Sequence, residues 1–126
     1  MSIASTVRGG LASSFSSIAA NVYAYVPEQV NPPAIVIVPD SPYMDPNLIN
    51  DSTIKVKLNF TISCAVAYLS NPASLDNLEA LVLDVLAAMP NNYVVGTVER
   101  PTVTQVGAST LLVSDIRVST YYKKGD

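Results

Sequence analysis

The clearest pattern in this sequence is an alternation of apolar and polar residues from position 53 to position 69. The even positions of this stretch carry most of the apolar side chains: Ile54, Val56, Leu58, Phe60, Ile62, Cys64, Val66 and Tyr68. Because successive strand side chains point to opposite faces, the pattern predicts one long, half-buried β-strand. Such a strand is roughly 50 Å long, whereas a domain of this size is only about 30 Å across. We therefore expect it to bend, bulge or project beyond the body, and a projecting strand needs a partner.

Two stretches with apolar residues at every third or fourth position predict amphipathic helices. The first runs over residues 2–20, although Gly9-Gly10 makes it weak without tertiary packing, and a break at this pair is the alternative. The second runs over residues 75–89, with Ser74 as its N-terminal cap and residues 90–92 ending it.

The remaining apolar runs predict shorter strands at residues 22–26, 34–38, 93–106 and 110–122. Pro32-Pro33 and Pro39 bracket the second of these and predict its ends, because proline cannot donate to a strand ladder. The connector at residues 27–33 has room for a hairpin, and residues 106–109 form a turn candidate. Pro101 predicts an edge or a bulge in the middle of the third strand.

This order of elements, α-β-β-β-α-β-β, predicts one α+β domain over residues 1–126. Its sheet is expected to be mostly antiparallel, with both amphipathic helices packed on one face. The other face is expected to be polar or covered by partners. Residues 39–52 are predicted to form a long loop and residues 123–126 a frayed tail.

The predicted loop carries apolar residues that water does not favour, namely Tyr43, Met44, Leu48 and Ile49. Long loops in compact domains are often functional. Two interpretations remain open: the loop folds back over its own core, or it is a contact arm that docks on a neighbouring subunit.

The composition also points to buried assembly surface. Charged residues make up 13% of the chain, against about 25% in typical soluble domains. The alternative is a chain that is simply rich in small and β-branched residues.

The net charge is −3 and no basic cluster exceeds Lys123-Lys124, which argues against binding to nucleic acid. No apolar run reaches the length of a membrane helix, and the N-terminal residues do not resemble a secretory signal.

The residue inventory offers little for catalysis. The sequence has no His and a single cysteine, Cys64, which excludes Cys/His zinc sites and Ser-His-Asp or Cys-His chemistry. Asp40, Asp45 and Asp51 are candidate ligands for Ca²⁺ or Mg²⁺, but turn-forming acids are the favoured interpretation. We predict no catalytic, cofactor-binding or metal-binding residue.

Several charged residues are candidates for contacts between subunits. On strand faces, charges hold register within one chain or form ion pairs across subunits, and both interpretations remain open. Together with the loop residues, they complete the predicted subunit or tube interface: Tyr43, Met44, Leu48, Ile49, Lys55, Lys57, Arg100, Asp115 and Arg117.

A family resemblance spans nearly the whole chain. Its segments are the N-terminal helix, V-Y-A-Y-V-P at 22–27, P-P-A-I-V-I-V-P at 32–39, the loop around Tyr43, the long strand, S-L-D-N-L-E-A-L at 74–81 and the closing strand pair. In the order of its elements and the residue types of these segments, the chain resembles the tail terminator proteins of long-tailed, siphovirus-type bacteriophages, and most of all those of actinobacteriophages.

The resemblance implies a structural virion protein of the phage neck that is not an enzyme and needs no cofactor. Family members form a homohexameric ring that caps the head-proximal end of the tail tube and ends tube polymerisation. Expected partners are further copies of the chain, the major tail tube protein and the head-side connector or stopper protein. DNA would pass through the lumen without specific binding, no membrane is involved, and assembly would occur in the host cytoplasm.

Two alternatives remain beside this expectation. One is a head-closure or stopper protein, or another ring of the neck connector. The other, from a different class, is a small ligand- or metal-binding α+β domain.

Overall fold

The computed structural model describes residues 7–25, 27, 29–49, 53–68, 72–106 and 109–125. Its elements are α1 (Gly9–Ser14), β1 (Asn21–Tyr23), β2 (Ala34–Ile49), β3 (Thr53–Ala67), α2 (Pro72–Ala88), β4 (Val94–Val98), β5 (Thr102–Val106) and β6 (Ser109–Gly125). The predicted α+β class is confirmed. The described residues form six strands instead of five, because the segment around Pro101 divides into β4 and β5.

The six strands form one mixed sheet in the order β1-β2-β3-β6-β4, with β5 also pairing with β6. The β1–β2 pair is parallel, and the other pairs are antiparallel. The prediction of a mostly antiparallel sheet is therefore confirmed in outline. The predicted hairpin between the first two strands is wrong, since two parallel strands cannot be joined by a tight turn.

The long central strand is confirmed as β3. It pairs with β2 on one side and with β6 on the other, from Thr53 to Ala67. Its even positions from Leu58 to Cys64 are fully buried beneath the helices. Ile54 belongs to the same face but is 43% exposed, so the strand continues past the part of the sheet that the helices cover. The partners that its length requires are strands of the same chain.

The predicted loop at residues 39–52 is wrong for residues 39–49, which continue β2; residues 50–52 lie outside the described part. The strand absorbs its irregular sequence in a wide bulge, where residues 40–43 face Asn59 alone. The side-chain Nδ2 of Asn59 donates to the backbone oxygen of Pro42 at 3.0 Å and to Oδ2 of Asp45 at 2.9 Å. These hydrogen bonds occupy the gap that the bulge opens in the ladder.

The prolines of β2 lie inside the strand, so the prediction that they mark strand ends is wrong for Pro39. They are tolerated because β2 is an edge strand over most of its length. β1 pairs only with Ala34, Ile35 and Val36. Beyond these residues the outer side of β2 has no partner among the described strands, so a missing N–H on that side breaks no ladder hydrogen bond.

Both helices pack on one face of the sheet, as predicted. α1 contributes Leu11 and α2 contributes Leu78, Val82 and Val85 to the same buried cluster as the even positions of β3. A smaller cluster, which includes Val30, Ala34 and Leu111, lies apart from it. The odd-numbered Ala65 of β3 belongs to the smaller cluster, so the reverse face of the sheet is apolar at this end.

Both helices differ from their predicted bounds. α1 begins at Gly9 and ends at Ser14, so the glycine pair starts the described helix instead of breaking it; residues 2–6 lie outside the described part. α2 begins at Pro72, where the fixed φ of proline suits a first helical position. Ser74 therefore lies buried within the helix, and its assignment as the N-terminal cap is wrong.

The chain does not fray where the sequence predicts. β6 continues to Gly125, and Lys123 and Lys124 are in register with Lys55 and Ile54. Pairing with a long neighbour supplies the backbone hydrogen bonds that a free tail lacks. Asp126 and residues 107–108 of the predicted turn lie outside the described part.

Candidate subunit interface

The ends of three paired strands form one stretch of the sheet, which we call the ribbon. It comprises residues 44–49 of β2, 53–57 of β3 and 121–125 of β6. Apolar side chains of the ribbon are exposed: Tyr121 is 54% exposed, and Met44 and Ile54 are also in contact with water. Exposed apolar residues clustered on one projecting element are typical of a surface that meets a partner.

The two predicted lysines of the long strand lie on the ribbon. Lys55 and Lys57 are both partly buried and occupy the strand face opposite to that of Val56. Nζ of Lys55 lies 4.9 Å from the centre of the Tyr121 ring, which places the ammonium over the ring face. Lys57 pairs in register with Asp45 on one side and with Tyr121 on the other.

The residues of the predicted contact arm differ in burial: one packs on the core and another is exposed. Tyr43 packs edge-on against the buried Phe60, with ring centres 5.7 Å apart, so it anchors β2 to its own core. Met44 is exposed. Leu48 and Ile49 pair through their backbones with Lys55 and Ile54, and their side chains lie outside the description. For Tyr43, the structure matches the alternative in which the segment folds back over its own core.

A second predicted group surrounds Arg117, which is exposed on β6. Its Nη1 lies 3.9 Å from Oδ2 of Asp40, and its Nε lies 3.9 Å from Oε2 of Glu99. These pairs, in which Arg117 and Glu99 are exposed and Asp40 is partly buried, link β2, β6 and the end of β4 within one chain. Pairs of this exposure and distance contribute little to stability, about 0–1 kcal/mol.

Asp115 forms hydrogen bonds with two residues of its own chain. Its Oδ1 accepts a hydrogen bond of 2.6 Å from Oγ of Ser63 on β3, and its backbone oxygen accepts one of 2.7 Å from the backbone N–H of Glu99. Both contacts hold neighbouring strands in register, which accounts for this residue without a partner subunit. Arg100 is exposed between β4 and β5.

Sequence reasoning missed the most exposed apolar surface, which is the edge formed by β4 and β5. Every residue of β4 is exposed, and Val94 is 65% exposed. Val103 on β5 is 54% exposed. The signal lay in the sequence, since valines occupy adjacent positions 94 and 95 and thus both faces of the strand. Valine on both faces of an uncovered edge strand is unfavourable in water.

A groove of about 520 Å³ lies between α2 and this edge. Its walls include Val82, Leu83 and Leu86 from the helix and Val98 and Pro101 from the edge. Leu83 is 64% exposed, and most of the side chains that line the groove with it are apolar. The buried Ser114 also lines the groove and donates a 2.7 Å hydrogen bond from Oγ to the backbone oxygen of Glu99.

Among the described residues, burial raises the pKa of two side chains, Cys64 and Tyr93. Burial, with a smaller effect of the Asp115 charge, raises the pKa of the Cys64 thiol to about 12. Burial also raises the pKa of Tyr93. Both groups therefore keep their protons at neutral pH.

Two of the three candidate metal ligands are described, and each has a protein partner of its own. Asp40 lies near Arg117, whereas Asp45 accepts from Asn59; Asp51 lies outside the described part. Within the described ranges, no group of three or more Cys, Asp or Glu side chains is placed to hold a metal ion.

Comparison with known proteins adds no family. No protein-family model matches the chain, and no curated protein matches it. Over the described residues, neither helix combines the length and the apolar character that crossing a bilayer demands.

Proposed function

We propose that this chain is a structural protein of the phage virion that forms a hexameric ring at the head-proximal end of the tail tube. The ring ends tube polymerisation and joins the tail to the head-side connector. The single observation that carries the proposal is a pair of exposed apolar surfaces that differ from each other, the ribbon and the groove beside the β4–β5 edge.

Two unlike surfaces on one chain favour a ring over a simple dimer. A two-fold dimer uses the same patch on both subunits, whereas a ring joins one patch to a different patch on the next subunit. A chain that offers both patches repeats this contact until the rotation closes. The family resemblance in the sequence supplies the number six and the place on the tail.

The charge balance fits a ring through which DNA passes. The net charge of −3 on each chain would give a ring that repels the phosphate backbone instead of binding it. The proposed partners are further copies of the chain, the major tail tube protein and the connector or stopper protein on the head side. The proposed role requires no catalysis, cofactor or metal.

The proposal is tested by native mass spectrometry combined with tube assembly. Six copies of the 13.4 kDa chain weigh about 80 kDa. We expect a species of this mass, and we expect the chain to shorten the tubes formed by the tail tube protein of the same phage. Rings that leave tube length unchanged but bind the head-side connector would indicate a head-closure ring. A chain that remains monomeric with and without tubes would contradict the proposal.

A further inference from the structure

The ribbon is the most basic part of the molecule. Four of the seven basic residues of the sequence lie on its strand segments, namely Lys55, Lys57, Lys123 and Lys124. Asp45 is the one acidic residue on the described part of these segments. The exposed side chains of Ile54 and Tyr121 accompany this charge. The ribbon thus combines an apolar contact surface with a positive field.

The α2 side of the groove has the opposite character. The helix carries Asp76, Glu79 and Asp84, all exposed, and its sequence contains no basic residue. Glu79 lines the groove beside Leu83. The far wall contributes Arg100 as the one basic lining residue. The groove therefore combines apolar walls with a predominantly acidic helix, which complements the ribbon in both respects.

The two surfaces lie at different positions along the strands of the sheet. The ribbon includes Ile54 near the start of β3, whereas the groove is lined by Ser114 of β6, which pairs in register with Cys64 of β3. Ten residues of extended strand separate Ile54 from Cys64, which corresponds to roughly 33 Å. One chain cannot bring its own ribbon to its own groove, because the paired strand between them is stiff.

We propose that the ribbon of one copy docks in the groove between α2 and the β4–β5 edge of the next copy, and that this contact joins the subunits of the ring. This inference rests on the proposed function, since it names the two surfaces that the ring would bring together. Lys55 and Lys57 approach the acidic side of α2, while Tyr121, which lies on the same face of the sheet, meets the apolar side chains around Leu83. The occupant of the groove is thus a second copy of the chain.

Cross-linking of two variants that each add one exposed cysteine tests this pairing directly. Leu83→Cys places a thiol in the groove, and Tyr121→Cys places one on the ribbon. Both native side chains are exposed, so neither change should disturb folding. A short bismaleimide should join the two variants when they are mixed, and neither variant alone should give a cross-linked dimer. The wild-type chain is the control, because its only cysteine, Cys64, is buried.

Charge reversal tests the same contact without introduced cysteines or a cross-linking reagent. The variant Lys55→Glu/Lys57→Glu and the variant Asp76→Lys/Glu79→Lys should each weaken association at least about tenfold at low salt, since each removes opposite charges from the contact. Combining all four changes in one chain should restore association. Asp84→Lys is the matched control, because Asp84 lies on the cleft at the other side of the helix and should have a smaller effect.

The outcomes separate this inference from the proposed function. Rings of about 80 kDa that show no mixed cross-link and no response to charge reversal would overturn the ribbon–groove contact while leaving the ring in place. Cross-linked dimers from either single variant alone would also overturn it, because they would indicate a two-fold contact. A wild-type chain that forms no oligomer at the same concentrations, with and without tail tubes, would count against both proposals.

Discussion

The centre of the sheet and its β4–β5 edge contain the same kind of residue in opposite environments. The even positions of β3 from Leu58 to Cys64 are fully buried between their neighbours and two helices. Four valines of β4 and β5 pair with β6 yet are exposed, namely Val94, Val95, Val98 and Val103. Apolar character alone therefore does not decide burial within this chain. The difference arises because α1 and α2 cover the middle of the sheet and leave this edge uncovered.

Truncation at the centre should have the largest effect. Phe60 is fully buried and contacts Tyr43, so Phe60→Ala should lower the free energy of unfolding by about 3–5 kcal/mol, as expected for a large cavity. Chemical denaturation followed by circular dichroism measures this. A loss below 1 kcal/mol would show that the centre is not packed as described.

Truncation at the edge should separate folding from assembly. Val94→Ser with Val103→Ser removes exposed methyl groups, so unfolding of the isolated chain should change by less than about 0.5 kcal/mol per site. Association should nevertheless weaken about tenfold, measured by analytical ultracentrifugation. If association is unchanged, the exposed edge is not part of the contact. Thr97→Ala on the same strand is a control with a smaller loss of apolar surface.

The thiol of Cys64 gives a pH-dependent measure of the buried centre. Its pKa lies near 12 in the folded chain, against 9.0 for an ordinary thiol. Above pH 9 the unfolded chain loses this proton while the folded chain keeps it. Stability should therefore fall by up to about 1.4 kcal/mol per pH unit from this group.

The measurement is the free energy of unfolding between pH 9 and pH 10, compared with Cys64→Val. The variant lacks the thiol, so its stability should fall less steeply over this range. Equal slopes would show that the thiol titrates normally in the folded chain. Tyr93, whose pKa is also raised by burial, affects both proteins alike.

A smaller loss of stability than that of Phe60→Ala is expected at the bulge of β2. Asn59→Ala removes the donor to Pro42 and Asp45, which should cost about 1 kcal/mol of stability and speed amide exchange in the β2 residues next to the bulge. Hydrogen exchange with mass spectrometry measures this locally. The exposed turn residue Asn91 provides the control Asn91→Ala, which should change neither. Unaltered exchange in β2 would show that Asn59 does not hold the bulge.

The elements that the sequence predicts well are those with a strong period and a single burial environment. The alternation of β3 and the spacing of Leu78, Val82 and Val85 both follow from one covered face. The strand character of residues 39–49 was not predictable from local signals, since three prolines argue against a strand. They are accommodated because β2 lies at the edge and Asn59 fills its bulge, and both conditions depend on distant residues.

The candidate interface was predictable only in part. The polar positions of the alternating strand single out Lys55 and Lys57, and both lie on the ribbon segment of β3. The groove was missed because α2 and the β4–β5 edge meet only in the folded chain. Asp115 was identified as a possible contact between subunits, but its side chain bonds Ser63 within the same sheet.

The most direct test of the account is the native mass of the wild-type chain, measured with images of the same sample. The account predicts a ring of six copies, about 80 kDa for a chain of 13.4 kDa, held together by unlike surfaces on neighbouring subunits. A 13.4 kDa monomer at every concentration, and also in the presence of tail tubes, would contradict it.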